Sequence, residues 1–171
     1  ATFFMVGKEI DSFPDEVKRM ESLGCELGNH TYSHVDLTTL APEDMSAEIA
    51  GVDEDLVNLV GHGATVLRPP YGNINDSVRS TVGTPMILWS IDTLDWETQD
   101  ASQITEAVMS QVQDGSIILM HDIFSTSVDA AEIFIPKLIE EGYQLVTIHE
   151  LAKIKGTELT TGIAYGDFTG Q

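Results

Sequence analysis

Short apolar runs, each stopping at a polar or ionisable residue, alternate along this chain with amphipathic helical stretches, and that alternation leaves few folds open. The pattern predicts strands at Ala1 to Val6, Cys25 to Asn29, Thr65 to Leu67, Met86 to Ile91, Ser116 to Met120 and Gln144 to Ile148. Helices are expected between them. Pro14 suits a first helical turn, and Val17, Met20 and Leu23 form a stripe that Gly24 ends. Met45, Ile49, Val52, Leu56 and Leu59 recur at steps of four and three behind the acidic start Pro42-Glu43-Asp44. Further helices are predicted over Asn75 to Val82, from Ile104 to Val112 before Gly115, over Ala130 to Glu140, and in a short piece near Glu150 to Ile154. The tail from Lys155 is weakly patterned and is expected to wrap the outside. Strands that alternate with helices imply a parallel sheet, and six such units point to a barrel short of one or two strands.

At 171 residues the chain reads as one domain, residues 1–171, large enough for a core that no disulfide or structural metal has to hold together. A metal here would therefore serve function. Eight basic against 28 acidic residues give a net charge of -20, which repels phosphate backbones and anionic lipid, so nucleic acid is excluded as a partner and a neutral or cationic substrate fits better. The same charge also serves as a solubilising surface. No apolar run approaches the roughly 20 residues that span a bilayer. The single Cys25 permits no internal disulfide and is expected in the core. Ala1 already reads as part of a buried strand, so the sequence is expected to begin inside a fold, with any targeting segment outside it.

The strand ends carry the chemistry. His30 and His34 are four apart just after a predicted strand; one helical turn would bring both imidazoles to one face, the spacing of a metal-ligand pair. Two surface histidines are the alternative. His30, His34, Arg68, Asp92, Asp95, Trp96 and His121 all fall at or just beyond strand ends, the edge where an α/β barrel builds its site. Trp96 and Leu119 are equally readable as core, Asp92 as a loop cap, and Arg68 as an ion-pair partner. His62 and His149 are expected at the surface or as groups that support the site residues.

In this order and spacing, H-T-Y-S-H from His30, R-P-P-Y-G from Arg68, D-T-L-D-W from Asp92 and I-I-L-M-H-D from Ile117 resemble four of the five motifs of the polysaccharide deacetylases, carbohydrate esterase family 4 or the NodB homology domain. The resemblance runs from Ala1 to about Leu151. It implies a distorted (β/α)7 barrel, TIM-like and of the NodB type, and a metal-dependent hydrolase that removes acetyl groups from N-acetylglucosamine-containing glycans such as peptidoglycan or chitin. By the same resemblance His30 and His34 bind a divalent ion, zinc first, with cobalt, nickel or manganese as alternatives. His121 is the general acid and Asp95 the carboxylate that orients and charges it. Arg68 holds the catalytic base, Tyr71 offers its backbone N–H to the oxyanion, and Trp96 and Leu119 line the acetyl pocket.

The family's first motif, a Thr-Phe-Asp-Asp-Gly run that supplies the base and a third metal ligand, is absent from this sequence. Ala1-Thr2-Phe3-Phe4 matches a position downstream of it, so the first strand is expected to lie N-terminal to Ala1. Two other readings stay open: an acetyl-xylan esterase of the same family, and an inactive glycan-binding relative. Partners are a glycan substrate and no nucleic acid. The location implied is extracellular or at the cell envelope.

Overall fold

A computed structural model describes residues 1–170. In chain order the elements are β1 (Thr2–Met5), α1 (Gly7–Ile10), α2 (Pro14–Ser22), β2 (Glu26–Asn29), α3 (Pro42–Val60), α4 (Asp76–Thr81), β3 (Met86–Ile87), β4 (Ile91–Asp92), α5 (Asp95–Thr98), α6 (Ala101–Gln111), β5 (Ile118–Leu119), α7 (Ser125–Glu140), α8 (Ile148–Ile154) and β6 (Ala164–Tyr165). They divide into two compact units. The first comprises Ala1–Leu88 with Thr147–Tyr165, the second Trp89–Val146 with the residues from Gly166.

The first unit is built on parallel pairing. β1 lies beside β2 in the register Thr2 to Glu26 through Met5 to Asn29, and β3 lies beside β6. Leu67 bridges Asn29 on one side and Met86 on the other, so one parallel order runs β1, β2, Leu67, β3, β6. Every strand of that order therefore ends on the same edge, which is where His30 and Arg68 follow. α3 covers this layer. Pro42 stands in its first turn with Glu43 and Asp44 against the positive helix end, and Gly61, at φ 92°, ends it in the left-handed conformation that glycine adopts without a Cβ clash. Met45 of α3 packs with Leu37, Leu67, Val78, Val82 and Met86, while its Val52 and Leu56 pack with Ile10, Val17 and Leu27. Truncation of a side chain as buried as Leu56 to alanine costs about 2–5 kcal/mol.

In the second unit β4 and β5 pair in parallel, Ile91 beside Ile118 and Asp92 beside Leu119. α6 and α7 close over a core of Ile104, Val108, Ala130, Phe134 and Leu138. Asp100 caps α6, accepting from the backbone N–H groups of Ser102 and Gln103.

Several expectations need correction. The apolar run at 144–148 forms no strand: Thr147 and Glu150 make a reciprocal capping box that starts α8 there. Thr65 to Leu67 contributes only the bridge at Leu67. The run at 86–91 is split, because β3 takes β6 as its neighbour and β4 takes β5, with the boundary between units at Leu88 and Trp89. β6 lies in the tail that was expected to wrap the outside. α1 was not foreseen, and the residue before α2 is Phe13, which makes no side-chain capping bond. Cys25 is half-buried rather than in the core.

Candidate functional site

In the first unit, β2 ends at Asn29 and delivers His30 at the sheet edge, where its N–H donates to the Met5 carbonyl at 2.9 Å. The imidazoles of His30 and His34 meet edge to face with ring centres 4.8 Å apart. The pair converges without the helical turn expected from the spacing. A loop brings it together, with Thr31 at φ 66° and His34 at φ 59°. Left-handed backbone in residues other than glycine costs about 1–3 kcal/mol each and persists only where surroundings enforce it. Here they do. Thr31 N–H donates to Asn29 Oδ1 at 2.9 Å, the N–H groups of Gly7 and Lys8 donate to the carbonyls of Thr31 and Tyr32, and Tyr32 N–H donates to the Glu48 carbonyl at 3.0 Å. The Glu48 carboxylate takes both the N–H and the hydroxyl of Ser33, at 2.8 and 2.7 Å.

His30 Nδ1 lies 2.6 Å from the carbonyl oxygen of Arg68. A carbonyl can only accept, so Nδ1 carries a proton, which leaves Nε2 as the nitrogen through which this ring can bind a metal. Two neutral imidazoles side by side are donors for a zinc-like ion. Among the described residues, however, no group of three or more His, Cys, Asp and Glu side chains lies close enough to hold an ion, so these two rings are the donor set present.

Arg68 is 9% exposed, and burial lowers its pKa to about 10, still well above neutrality. Its guanidinium donates to the carbonyls of Ile87 and Leu88 at 3.2 and 3.1 Å and rests 4.2 Å above the Phe4 ring. Tyr71 sits in the 3-10 turn Pro70–Gly72 at φ 61°, its ring edge to face with His34 at 5.0 Å.

In the second unit the site is a buried carboxylate. Asp95, fully enclosed, accepts from His121 Nδ1 at 2.8 Å and Trp96 N–H at 3.0 Å on one oxygen, and from His121 N–H at 2.7 Å and the Ser127 hydroxyl at 2.6 Å on the other. Burial alone would raise the Asp95 pKa, but the bonds from His121 and Ser127 outweigh it and hold the carboxyl below its ordinary value. The anion fixes the proton on His121 Nδ1 and leaves Nε2 as the exchanging nitrogen. Leu119 is buried on β5, whereas Trp96 is 50% exposed, which removes the core reading of that indole. Asp92 caps a loop, taking the Leu94 N–H at 2.9 Å.

His62 and His149 take part in neither constellation. His62 pairs with Glu21 and His149 with Glu26. Three residues that hold the sites escaped the sequence reading: Asn29, Glu48 and Ser127. Only Asn29 carried a visible signal, as the last residue of the predicted strand before His30.

Parallel strands whose ends deliver His30 and Arg68 in one unit and Asp92 and His121 in the other define an α/β protein with its chemistry at one sheet edge in each unit. The polysaccharide deacetylase model matches residues 1–84. The peptidoglycan-N-acetylmuramic acid deacetylase PdaC of Bacillus subtilis is 41% identical over 155 residues, 91% of this chain and 33% of that protein. Its solved structure superposes with a TM-score of 0.89 at 40% identity, covering 91% of this chain and 77% of that one. The peptidoglycan-N-acetylglucosamine deacetylase PgdA of Listeria monocytogenes is 36% identical over 169 residues, 99% of this chain and 36% of that protein. A family 4 acetyl xylan esterase of Clostridium thermocellum, solved with a cobalt ion, gives a TM-score of 0.91 at 29% identity, covering 98% of this chain and 84% of that one. This chain belongs to the polysaccharide deacetylase family, and the α/β, NodB-type barrel class read from the sequence is the class of these structures. The chain spans about a third of the length of the two curated relatives it matches.

Proposed function

We propose that this chain is the catalytic part of a metal-dependent deacetylase that hydrolyses the acetamide of N-acetylated sugars in peptidoglycan. The observation that carries the reading is the His121–Asp95 pair. An ionised, enclosed carboxylate pins one ring nitrogen, so the other can hand a proton to a departing amine. His30 and His34 would hold the ion; when bound, it would lend Lewis acidity to the acetyl carbonyl and to an attacking water. Zinc is the ion proposed, and the cobalt ion of the Clostridium esterase supports a divalent ion more generally. Arg68 is proposed to position the base, the Tyr71 N–H to meet the developing oxyanion, and Trp96 with Leu119 to receive the acetyl methyl.

The peptidoglycan deacetylases among the relatives support the glycan class, and a cell-envelope location follows from that polymer's place outside the membrane. No helix among the described residues is long and apolar enough to cross a membrane. A second reading, removal of O-acetyl groups from xylan, draws support from the likeness to the Clostridium esterase. Acetate release from N-acetylated peptidoglycan fragments, chito-oligosaccharides and acetyl-xylan, measured with Zn(II) or Co(II) added on a chain extended N-terminally by a segment that supplies the Asp-Asp motif, separates the two. His121→Ala is expected to lower turnover by about 10²–10⁴. Undiminished turnover in that variant, or acetate from none of the N-acetylated substrates, would overturn the reading.

A further inference from the structure

We infer that Glu48, on α3, is the positioning residue that sets the geometry of the His30 and His34 pair. The loop between the two histidines has a single side-chain anchor immediately before His34, the double bond from Ser33 N–H and hydroxyl to the two oxygens of Glu48. The same residue's backbone carbonyl takes the Tyr32 N–H. Glu48 thus grips two consecutive loop residues, and both lie between the left-handed residues Thr31 and His34. With either grip released, the two residues before His34 lose a tie to α3, and the edge-to-face contacts of its ring with His30 and Tyr71 lose part of their support.

The other side of the loop is shaped to match. A Cβ on Gly7 would fall 2.4 Å from Cδ2 of Tyr32 and 2.9 Å from its Cα, and one on Gly51, a turn from Glu48 on α3, would fall 3.0 Å from the same ring. Tyr32 therefore sits between α1 and α3, in a space that requires glycine at position 7 and is tight at position 51. Two residues past His34, Asp36 is tied in turn, with one oxygen accepting from the N–H and hydroxyl of Thr38 and the other from the Asn73 side chain at 2.7 Å. A residue whose loop is held on both sides returns to one ring position after each exchange of ligand, which is what a metal ligand needs from its supporting groups.

This inference rests on reading His30 and His34 as metal ligands, so the test separates the two claims. Co(II) is titrated into the full chain and followed by visible absorption, with amide hydrogen exchange at Tyr32 and Ser33 measured without metal and circular dichroism as the folding control. Glu48→Ala is expected to weaken Co(II) affinity at least about tenfold and to speed exchange at Ser33. Glu48→Gln, which can still accept from Ser33 N–H and bond its hydroxyl, is expected to restore both to within about threefold. Ser33→Ala, which loses one bond only, should fall between. A wild-type chain that binds no Co(II) would overturn the ligand reading and this inference with it. Wild-type binding that Glu48→Ala leaves unchanged, or a loss that Glu48→Gln fails to rescue, would overturn the role of Glu48 alone.

Discussion

Two histidine–carboxylate pairs in this molecule have nearly the same length and opposite character. His121 meets Asp95 at 2.8 Å, and His62 meets Glu21 at 3.0 Å. Asp95 is fully enclosed and Glu21 is 37% exposed at its side chain. Around Asp95 every accepting position is taken by a donor from a fixed element: the first turn of α5, His121 two residues past β5, and Ser127 in α7. Glu21 offers its charge across the surface, where water competes for each bond. Distance therefore does not distinguish an enclosed dyad from a surface tie; what surrounds the carboxylate does, because only an enclosed, saturated anion holds one tautomer against thermal motion.

The largest expected effect comes from neutralising the enclosed member. In Asp95→Asn one position becomes an NH2, and both oxygens of Asp95 face backbone N–H groups. The amide settles with its NH2 toward His121, whose Nδ1 must then accept, which moves the ring proton to Nε2. Turnover should fall by about 10²–10⁴ with the fold kept, and the tautomer change is readable in the ¹⁵N shifts of the ring. The change should also cost about 1–3 kcal/mol, since Trp96 N–H loses its acceptor. A depressed carboxyl pKa stabilises the folded chain above the ordinary carboxylate range and ceases to do so as pH falls through the folded value. The variant should therefore unfold with less acid dependence than the parent. An Asp95→Asn enzyme of normal turnover would erase the distinction between the two pairs.

Ser127→Ala asks how much of the enclosure is needed. It removes one of the two donors on Asp95 Oδ2 and leaves the His121 N–H in place. A hydrogen bond to a buried anion contributes about 1.5–3 kcal/mol, so the melting point should drop and the Asp95 carboxyl should move up toward its ordinary value. Turnover should suffer less than in Asp95→Asn, because the His121 contact remains. Equal losses in both variants would mean that the serine, and not the anion, fixes the ring.

How much of this was legible in the sequence follows the range of the interactions. His30, Arg68, Asp95 and His121 were legible because a strand end is a local event, marked by an apolar run that stops. Ser127 and Glu48 were not, since each acts on a residue far along the chain, 32 and 15 positions away, and neither interrupts any pattern. The missed start of α8 is different: Thr147-Ile148-His149-Glu150 is a capping-box sequence, and its signal lost to the apolar run in front of it. The split between β3 and β4 had no local sign, because the partner of β3 is the dipeptide Ala164–Tyr165 in a polar tail. The convergence of His30 and His34 was expected for a helical reason and occurs for another, a loop strained at two residues and tied to α3.

The smallest effect tests the exposed pair. His62 Nδ1 lies 3.0 Å from the Gly63 carbonyl and Nε2 3.0 Å from Glu21 Oε1, and both partners only accept, so the imidazolium alone satisfies both bonds. The Gly63 carbonyl first, and then Glu21, hold the His62 pKa above its ordinary value against a slight opposing burial. A histidine whose pKa is raised by folding adds stability that is complete below the unfolded value and fades as pH climbs through the folded one. Between about pH 6 and 8 the denaturation midpoint should therefore decline slightly, and Glu21→Gln should flatten that decline. With both side chains more than a third exposed, the effect should not exceed about 1 kcal/mol. NMR titration of His62 should show its midpoint falling in Glu21→Gln and unmoved in Asp95→Asn. A His62 midpoint at or below the ordinary histidine value, or a pH effect as large as that of Asp95, would show that solvent exposure does not separate these two pairs as argued.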